Sequence, residues 1–132
     1  MFELHPQLQG DTSIICELAI CSALLMNDKR YPWVILVPRL PDLRDLHDVP
    51  EAQSNAVTEE IRLVSKALVT CFRPHKLNVA ALGNMVPQLH IHIIARNQDD
   101  PAWPGPVWGV GDAEPYTSEV QQARIEMLRQ QL

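Results

Sequence analysis

The chain has 132 residues and a mass of 14.9 kDa, enough for one domain with its own core and too few for two full-sized cores. Apolar residues make up 46% and charged residues 20%, an ordinary globular mixture that excludes disordered and fibrous classes. Eleven Lys and Arg against sixteen Asp and Glu give a formal net charge of −5. That is the wrong sign for broad binding to a nucleic-acid backbone, so an anionic ligand has to be held by local groups.

The first residues, Met1-Phe2-Glu3-Leu4-His5-Pro6-Gln7-Leu8-Gln9-Gly10-Asp11, lack a basic segment followed by an apolar one, and no run in the chain approaches the roughly 18 to 20 apolar residues that span a membrane. A cytoplasmic protein with no membrane contact is expected. Cys16 to Met26 and Trp33 to Val37 are apolar runs separated by the polar stretch Asn27-Asp28-Lys29-Arg30, the pattern of two strands joined by a turn. Pro50 follows Asp48, a helix-capping residue type, and beyond it Val57, Ile61, Val64, Leu68 and Cys71 recur at the spacing of one helix face. Glu59, Glu60, Arg62 and Lys66 fall on the opposite, solvated side. The helix should stop near Phe72, because Pro74 disfavours helical geometry at Arg73.

Leu77 to Leu82 is a further short apolar run, and Gly83-Asn84 is a turn pair. Gln88 to Ala95 alternates as a half-buried strand does, with Leu89, Ile91 and Ile93 on one face and Gln88, His90 and His92 on the other. Ser118 with Gln121 resembles a capping box opening a last helix through Val120, Ile125 and Leu128. Cys16, Cys21 and Cys71 sit in apolar runs without paired spacing and read as reduced, structural thiols. Strands, helix, strands, helix is the order of an α+β domain with helices packed on a mainly antiparallel sheet.

Two imidazoles projecting from one strand face are the main chemical feature. On spacing alone His90 and His92 are compatible with satisfied structural histidines, with two ligands of a zinc site that lacks a visible third, or with catalysis. Gly83-Asn84-Met85-Val86-Pro87-Gln88-Leu89-His90-Ile91-His92-Ile93-Ile94-Ala95-Arg96 resembles the signature strand of the histidine triad (HIT) family, whose pattern is three histidines alternating with apolar residues. Ala23 to Asn27 followed by Pro32 to Arg39 is similar to that family's first hairpin, and the resemblance spans roughly residues 15 to 97. It implies a single α+β domain over 1–132 with about five antiparallel strands and two helices, residues 98–132 forming a C-terminal loop and helix, and a homodimer.

In the register set by Gly83, Val86 and Arg96, Gln88 takes the first histidine's place, His90 the middle one and His92 the third. A shifted register would make His92 the middle residue. The resemblance implies a nucleotide as the small-molecule substrate, His90 as nucleophile at its α-phosphorus, and His92 and the Gln88 amide as donors to phosphate oxygens, with no metal and no cofactor. It also implies that Asn27 contacts the ribose hydroxyls, although a turn asparagine is an equal reading. Asn84 and Arg96 are candidates for phosphate contacts, and Trp103 or Trp108 for stacking on the base, unless these aromatics pack within the domain or at a dimer interface. Trp33 and Met85 depart from the family's usual His and Ser or Thr. His5, His47 and His75 carry no motif and are expected at the surface. Hydrolysis, nucleotidyl transfer to another acceptor, and nucleotide binding without catalysis are the activities this pattern leaves open.

Overall fold

The computed structural model describes residues 1–132. Strands β1 (Thr12–Glu17), β2 (Cys21–Met26), β3 (Trp33–Pro38), β4 (Lys76–Ala80) and β5 (Ile91–Arg96) form one antiparallel sheet in the order β1-β2-β3-β5-β4. Helices α1 (Pro6–Asp11), α2 (Glu51–Phe72) and α3 (Ser118–Arg129) complete it, with a single 3-10 turn at Leu46–Asp48. The α+β class and the five strands agree with the sequence reading; the expected two helices become three. Helix α1 has six residues, too short for a periodic apolar face, and Pro6 at its start is its sequence mark.

The run from Cys16 to Met26 is divided rather than continuous. Cys16 and Glu17 end β1, Leu18 to Ile20 turn, and β2 starts at Cys21. The turn contains no Gly, Pro or Asn and is held instead by a distant side chain. Glu60 of α2 accepts from the backbone N–H of Ile20 at 2.9 Å and of Cys21 at 2.7 Å. Expected on the solvated side of its helix, Glu60 is buried, because these two N–H groups have no strand partner and a carboxylate satisfies both.

Asp48 does not cap α2, whose N-cap is Pro50 with no side-chain bond, because the Asp48 carboxylate accepts from Arg44 and Asp45 N–H instead. Helix α2 otherwise follows its pattern, with Val57, Val64 and Leu68 buried and Ile61 and Cys71 at the edge of the same cluster. It ends at Phe72, with Arg73 in the left-handed conformation at φ 47° ahead of Pro74. In α3 the capping residue is Thr117 rather than Ser118, its hydroxyl accepting from Val120 N–H at 3.4 Å. Ile125 and Leu128 are buried there, whereas Val120 lies exposed.

Strand alternation sorts the core into two layers. Ala23, Leu25, Val34, Leu36, Ile91 and Ile93 face α2 and α3, where Val57, Val64, Leu68, Ile125 and Leu128 meet them. Leu24, Trp33, Ile35, Val37 and Ile94 face the other way, under Leu8 of α1 and Val107 of the segment after β5. Every residue of β3 is therefore buried, which explains its unbroken apolar sequence. The second layer is the thinner of the two, and it is the one that carries the histidines.

Replacing Glu60 by Ala leaves two N–H groups of the β1–β2 turn unpaired. Glu60→Ala is expected to lower stability by about 2 to 3 kcal/mol, and Glu60→Gln, which keeps one acceptor, by less. Urea denaturation of both variants checks the order.

Candidate active site

Strand β5 begins at Ile91, so Gln88, at a bend, and Leu89 and His90 precede the strand rather than forming part of it. The alternation nevertheless continues. Leu89 joins the α2-facing core and its N–H donates to Leu43 O at 3.0 Å, while His90 and His92 face the thin layer. His92 lies in register opposite Ile35 of β3. Both imidazoles line a cavity of about 570 Å³. Trp33 and Ile35 of β3, Met26 of β2 and Trp108 form its inner wall, residues Leu82 to Val86 one lip, and His5, Gln7, Leu8 and Asp11 the other.

Hydrogen bonds fix what each imidazole can do. His90 Nδ1 lies 2.7 Å from the Gln88 carbonyl oxygen. A carbonyl only accepts, so Nδ1 carries the proton and Nε2 keeps its lone pair. The opposite holds at His92, whose Nδ1 accepts from Trp33 Nε1–H at 3.0 Å. An indole N–H only donates, so Nδ1 is unprotonated and Nε2 carries the hydrogen. Burial, together with the neighbouring His90, lowers the His92 pKa to about 4, which keeps the ring neutral at physiological pH. The two ring centroids are 4.8 Å apart, and Trp33 and Trp108 pack against His92 at 5.7 and 5.1 Å. One face of the cavity thus offers an unprotonated ring nitrogen and a hydrogen-bond donor side by side.

The remaining candidates divide. Asn84 lines the cavity, next to Gly83, whose φ of +69° makes the turn that the Gly83-Asn84 pair signals. Gln88 is not directed at the cavity. Its side-chain oxygen accepts from His5 N–H at 2.8 Å and its amide donates to Glu3 O at 2.8 Å, so both ends of the side chain hold the N-terminal segment. The expectation that Gln88 contacts phosphate is corrected accordingly. Asn27 is likewise engaged elsewhere, its Oδ1 accepting from Tyr116 N–H at 2.9 Å, which ties the chain leading into α3 to the end of β2.

Arg96 shares the face of His92 and Ile94 but is buried beyond them. It donates to both carboxylate oxygens of Asp100 at 2.7 and 3.0 Å, to Asn78 Oδ1 at 2.7 Å and to Gly105 O at 2.8 Å. Asp100 also accepts from the backbone N–H groups of Asn97, Ala102 and Trp103. Burial opposes its charge, but these donors outweigh it and hold the carboxyl below the usual range. Instead of binding phosphate, Arg96 folds the segment after β5, which delivers Trp108 to the cavity. Trp103 packs on His75, at 5.2 Å between centroids, and under the Arg96 guanidinium, away from the cavity. Of the two tryptophans considered, Trp108 is the one that lines the cavity.

Sequence reasoning missed the N-terminal segment altogether. His5, expected at the surface, is half-buried and lines the cavity. The Pro6 helix start was the available signal. No lysine or arginine lines the cavity, and Asp11 is its one carboxylate. No third His, Cys, Asp or Glu is grouped with the histidine pair in a metal-holding arrangement.

The sequence model of the HIT domain matches residues 7–99. A solved histidine triad protein from Sinorhizobium meliloti 1021 is 40% identical with a TM-score of 0.97, the match covering 99% of this chain and 97% of that one. One from Bradyrhizobium japonicum is 45% identical with a TM-score of 0.96, over 98% of this chain and 97% of that one. A third, from Marinobacter aquaeolei VT8, is 48% identical with a TM-score of 0.92, over 100% and 98%. Among curated proteins none matches.

Removing the Trp33 donor takes away a hydrogen bond that only unprotonated Nδ1 can accept. Trp33→Phe should therefore raise the His92 pKa, read by NMR titration of the imidazole signals. Because the folded pKa lies below the ordinary value of 6.5, the unfolded chain binds this proton first. Stability tied to His92 is thus complete above pH 6.5 and falls as the pH drops toward 4, by up to about 3 kcal/mol. Urea denaturation across that window measures it, with a smaller loss expected for Trp33→Phe.

Proposed function

The chain belongs to the HIT domain family, and from that premise we propose that it is a nucleotide phosphohydrolase. It would cleave at the α-phosphate of a nucleotide, with a purine as the base, whose leaving group is attached as an ester, anhydride or phosphoramidate. The observation that carries this reading is the 2.7 Å contact between His90 Nδ1 and Gln88 O, which leaves Nε2 as a free lone pair at the cavity wall. Membership of the family supports the nucleotide and phosphorus chemistry; the tautomers support the division of roles.

In the first step His90 Nε2 gives its lone pair to the α-phosphorus, and the bond to the leaving group breaks with its electrons going to the departing atom. The imidazole becomes cationic while bonded to phosphorus, and its Nδ1–H remains directed at the Gln88 carbonyl, which stabilises that charge. His92 Nε2–H, 4.8 Å away between ring centroids, donates to a nonbridging oxygen as negative charge builds there. Asn84 adds a neutral donor from the opposite lip. In the second step water attacks the nucleotidyl-His90 phosphorus, the N–P bond breaks back to His90, and a nucleoside monophosphate leaves. Neutral donors rather than cations hold the phosphate, consistent with a cavity that has no Lys or Arg.

The expected outcome is nucleoside monophosphate release from at least one member of a panel of adenylate and guanylate esters, anhydrides and phosphoramidates. His90→Ala, shown to be folded, should lose this release by about three orders of magnitude or more. His92→Ala should lower kcat by about 100- to 1000-fold. Product analysis by chromatography, with alcohols and amines added as acceptors, separates hydrolysis from transfer. Nucleotide binding without release by the wild-type protein would contradict the catalytic reading.

A further inference from the structure

Gln88 stands two residues before His90, yet both ends of its side chain are bound to backbone at residues 3 and 5. The consequence falls on His5. With its N–H held by the Gln88 oxygen at 2.8 Å, His5 sits half-buried between the cavity of His90 and His92 and a shallow recess that Gln88 lines. Its Nδ1 accepts from Gln7 N–H at 3.0 Å, capping α1. That bond assigns the ring's hydrogen to Nε2, the nitrogen that points away from the cap. Three imidazoles therefore line one cavity: His90 with a free Nε2 lone pair, and His92 and His5 each with an Nε2–H.

We propose that His5 is a further catalytic residue of the site, donating a hydrogen bond from Nε2 to the leaving-group oxygen, and that Gln88 is the positioning residue that brings it there. This rests on the nucleotidyl-transfer reading of the cavity. It differs from general acid catalysis in a way the geometry dictates. A neutral imidazole that gave up its Nε2 proton would become an imidazolate, so His5 keeps the proton and stabilises charge without transferring it. As His90 Nε2 forms the bond to phosphorus, the electrons of the breaking P–O bond pass to the departing oxygen. The hydrogen bond from His5 strengthens as that charge grows, and any proton the leaving group takes up comes from water.

The test follows from the chemistry. A hydrogen bond to the departing oxygen matters most when that oxygen is a poor anion, so removing it steepens the dependence of rate on leaving-group acidity. His5→Asn is the informative variant, because its side-chain oxygen can accept from Gln7 N–H and preserve the cap while the reach of Nε2 is lost. Adenosine monophosphate phenyl esters with substituents grading the acidity of the phenol are the substrates. His5→Asn should slow the least acidic phenol by about tenfold or more and the most acidic by less than about threefold. Gln88→Ala, which frees the N-terminal segment, should show the same selective loss.

Equal slowing of every ester by His5→Asn, or none, overturns the role of His5 while leaving the His90 reading intact. A Gln88→Ala protein with the wild-type dependence overturns the positioning by that amide. Wild-type protein that releases no more nucleotide than His90→Ala from any ester overturns the reading of the site, and this inference with it. A structural contribution from α1 would change all the rates together, so a change in the dependence on the leaving group separates the two explanations.

Discussion

The indole N–H of Trp33 can donate and cannot accept, and the cavity is organised around what that does to His92. A donor 3.0 Å from Nδ1 forbids a proton there, places the ring's hydrogen on Nε2, and makes the cationic form costly in a site that already disfavours charge by burial. His90, 4.8 Å away between centroids, is held in the opposite tautomer by a backbone carbonyl. Two identical side chains, one in β5 and one just before it, thereby acquire opposite tautomers from their hydrogen-bond partners alone. Were both rings in the same tautomer, the site would have two Nε2–H donors or two Nε2 lone pairs. The observed pair has one of each.

The scaffold that maintains this arrangement is largely remote from it in sequence. Strand β3 supplies Trp33 from the middle of the sheet, buried on both sides, where its orientation has little freedom. The segment after β5 supplies Trp108, and that segment is folded around the buried pair Arg96–Asp100, with side chains 1% and 7% exposed. A pair so placed stabilises little in isolation, because desolvation offsets the attraction, but removing one partner strands the other's charge. Its effect here is to define the path of the loop: three backbone N–H groups, from Asn97, Ala102 and Trp103, end on the same carboxylate. On the opposite lip the amide of Gln88 does comparable work for the N-terminal segment.

The features legible in the sequence were those with a local period. The helix over Glu51–Phe72, the alternation of Leu89, Ile91 and Ile93 against His90 and His92, and the turn at Gly83-Asn84 all follow from spacing or from the conformational freedom of one residue. The features that were not legible depend on partners brought together by the fold. Glu60 lies on the buried side of its helix because two N–H groups about forty residues away need an acceptor. Arg96 reads as a phosphate ligand only until the loop that buries it is known. Asn27 and Gln88 differ from expectation for the same reason: a polar side chain can bond to a ligand or to backbone equally well, and the sequence does not say which is within reach.

The covalent character of the proposed reaction is tested most directly by its stereochemical course. A nucleotide substrate made chiral at the α-phosphorus, as a phosphorothioate of one configuration, is turned over in oxygen-labelled water, and the configuration of the released monophosphate is determined by phosphorus NMR. Attack by His90 followed by attack by water inverts the phosphorus twice, so net retention is the predicted result. Net inversion would mean that water attacks the substrate directly, and would contradict a nucleotidyl-His90 intermediate.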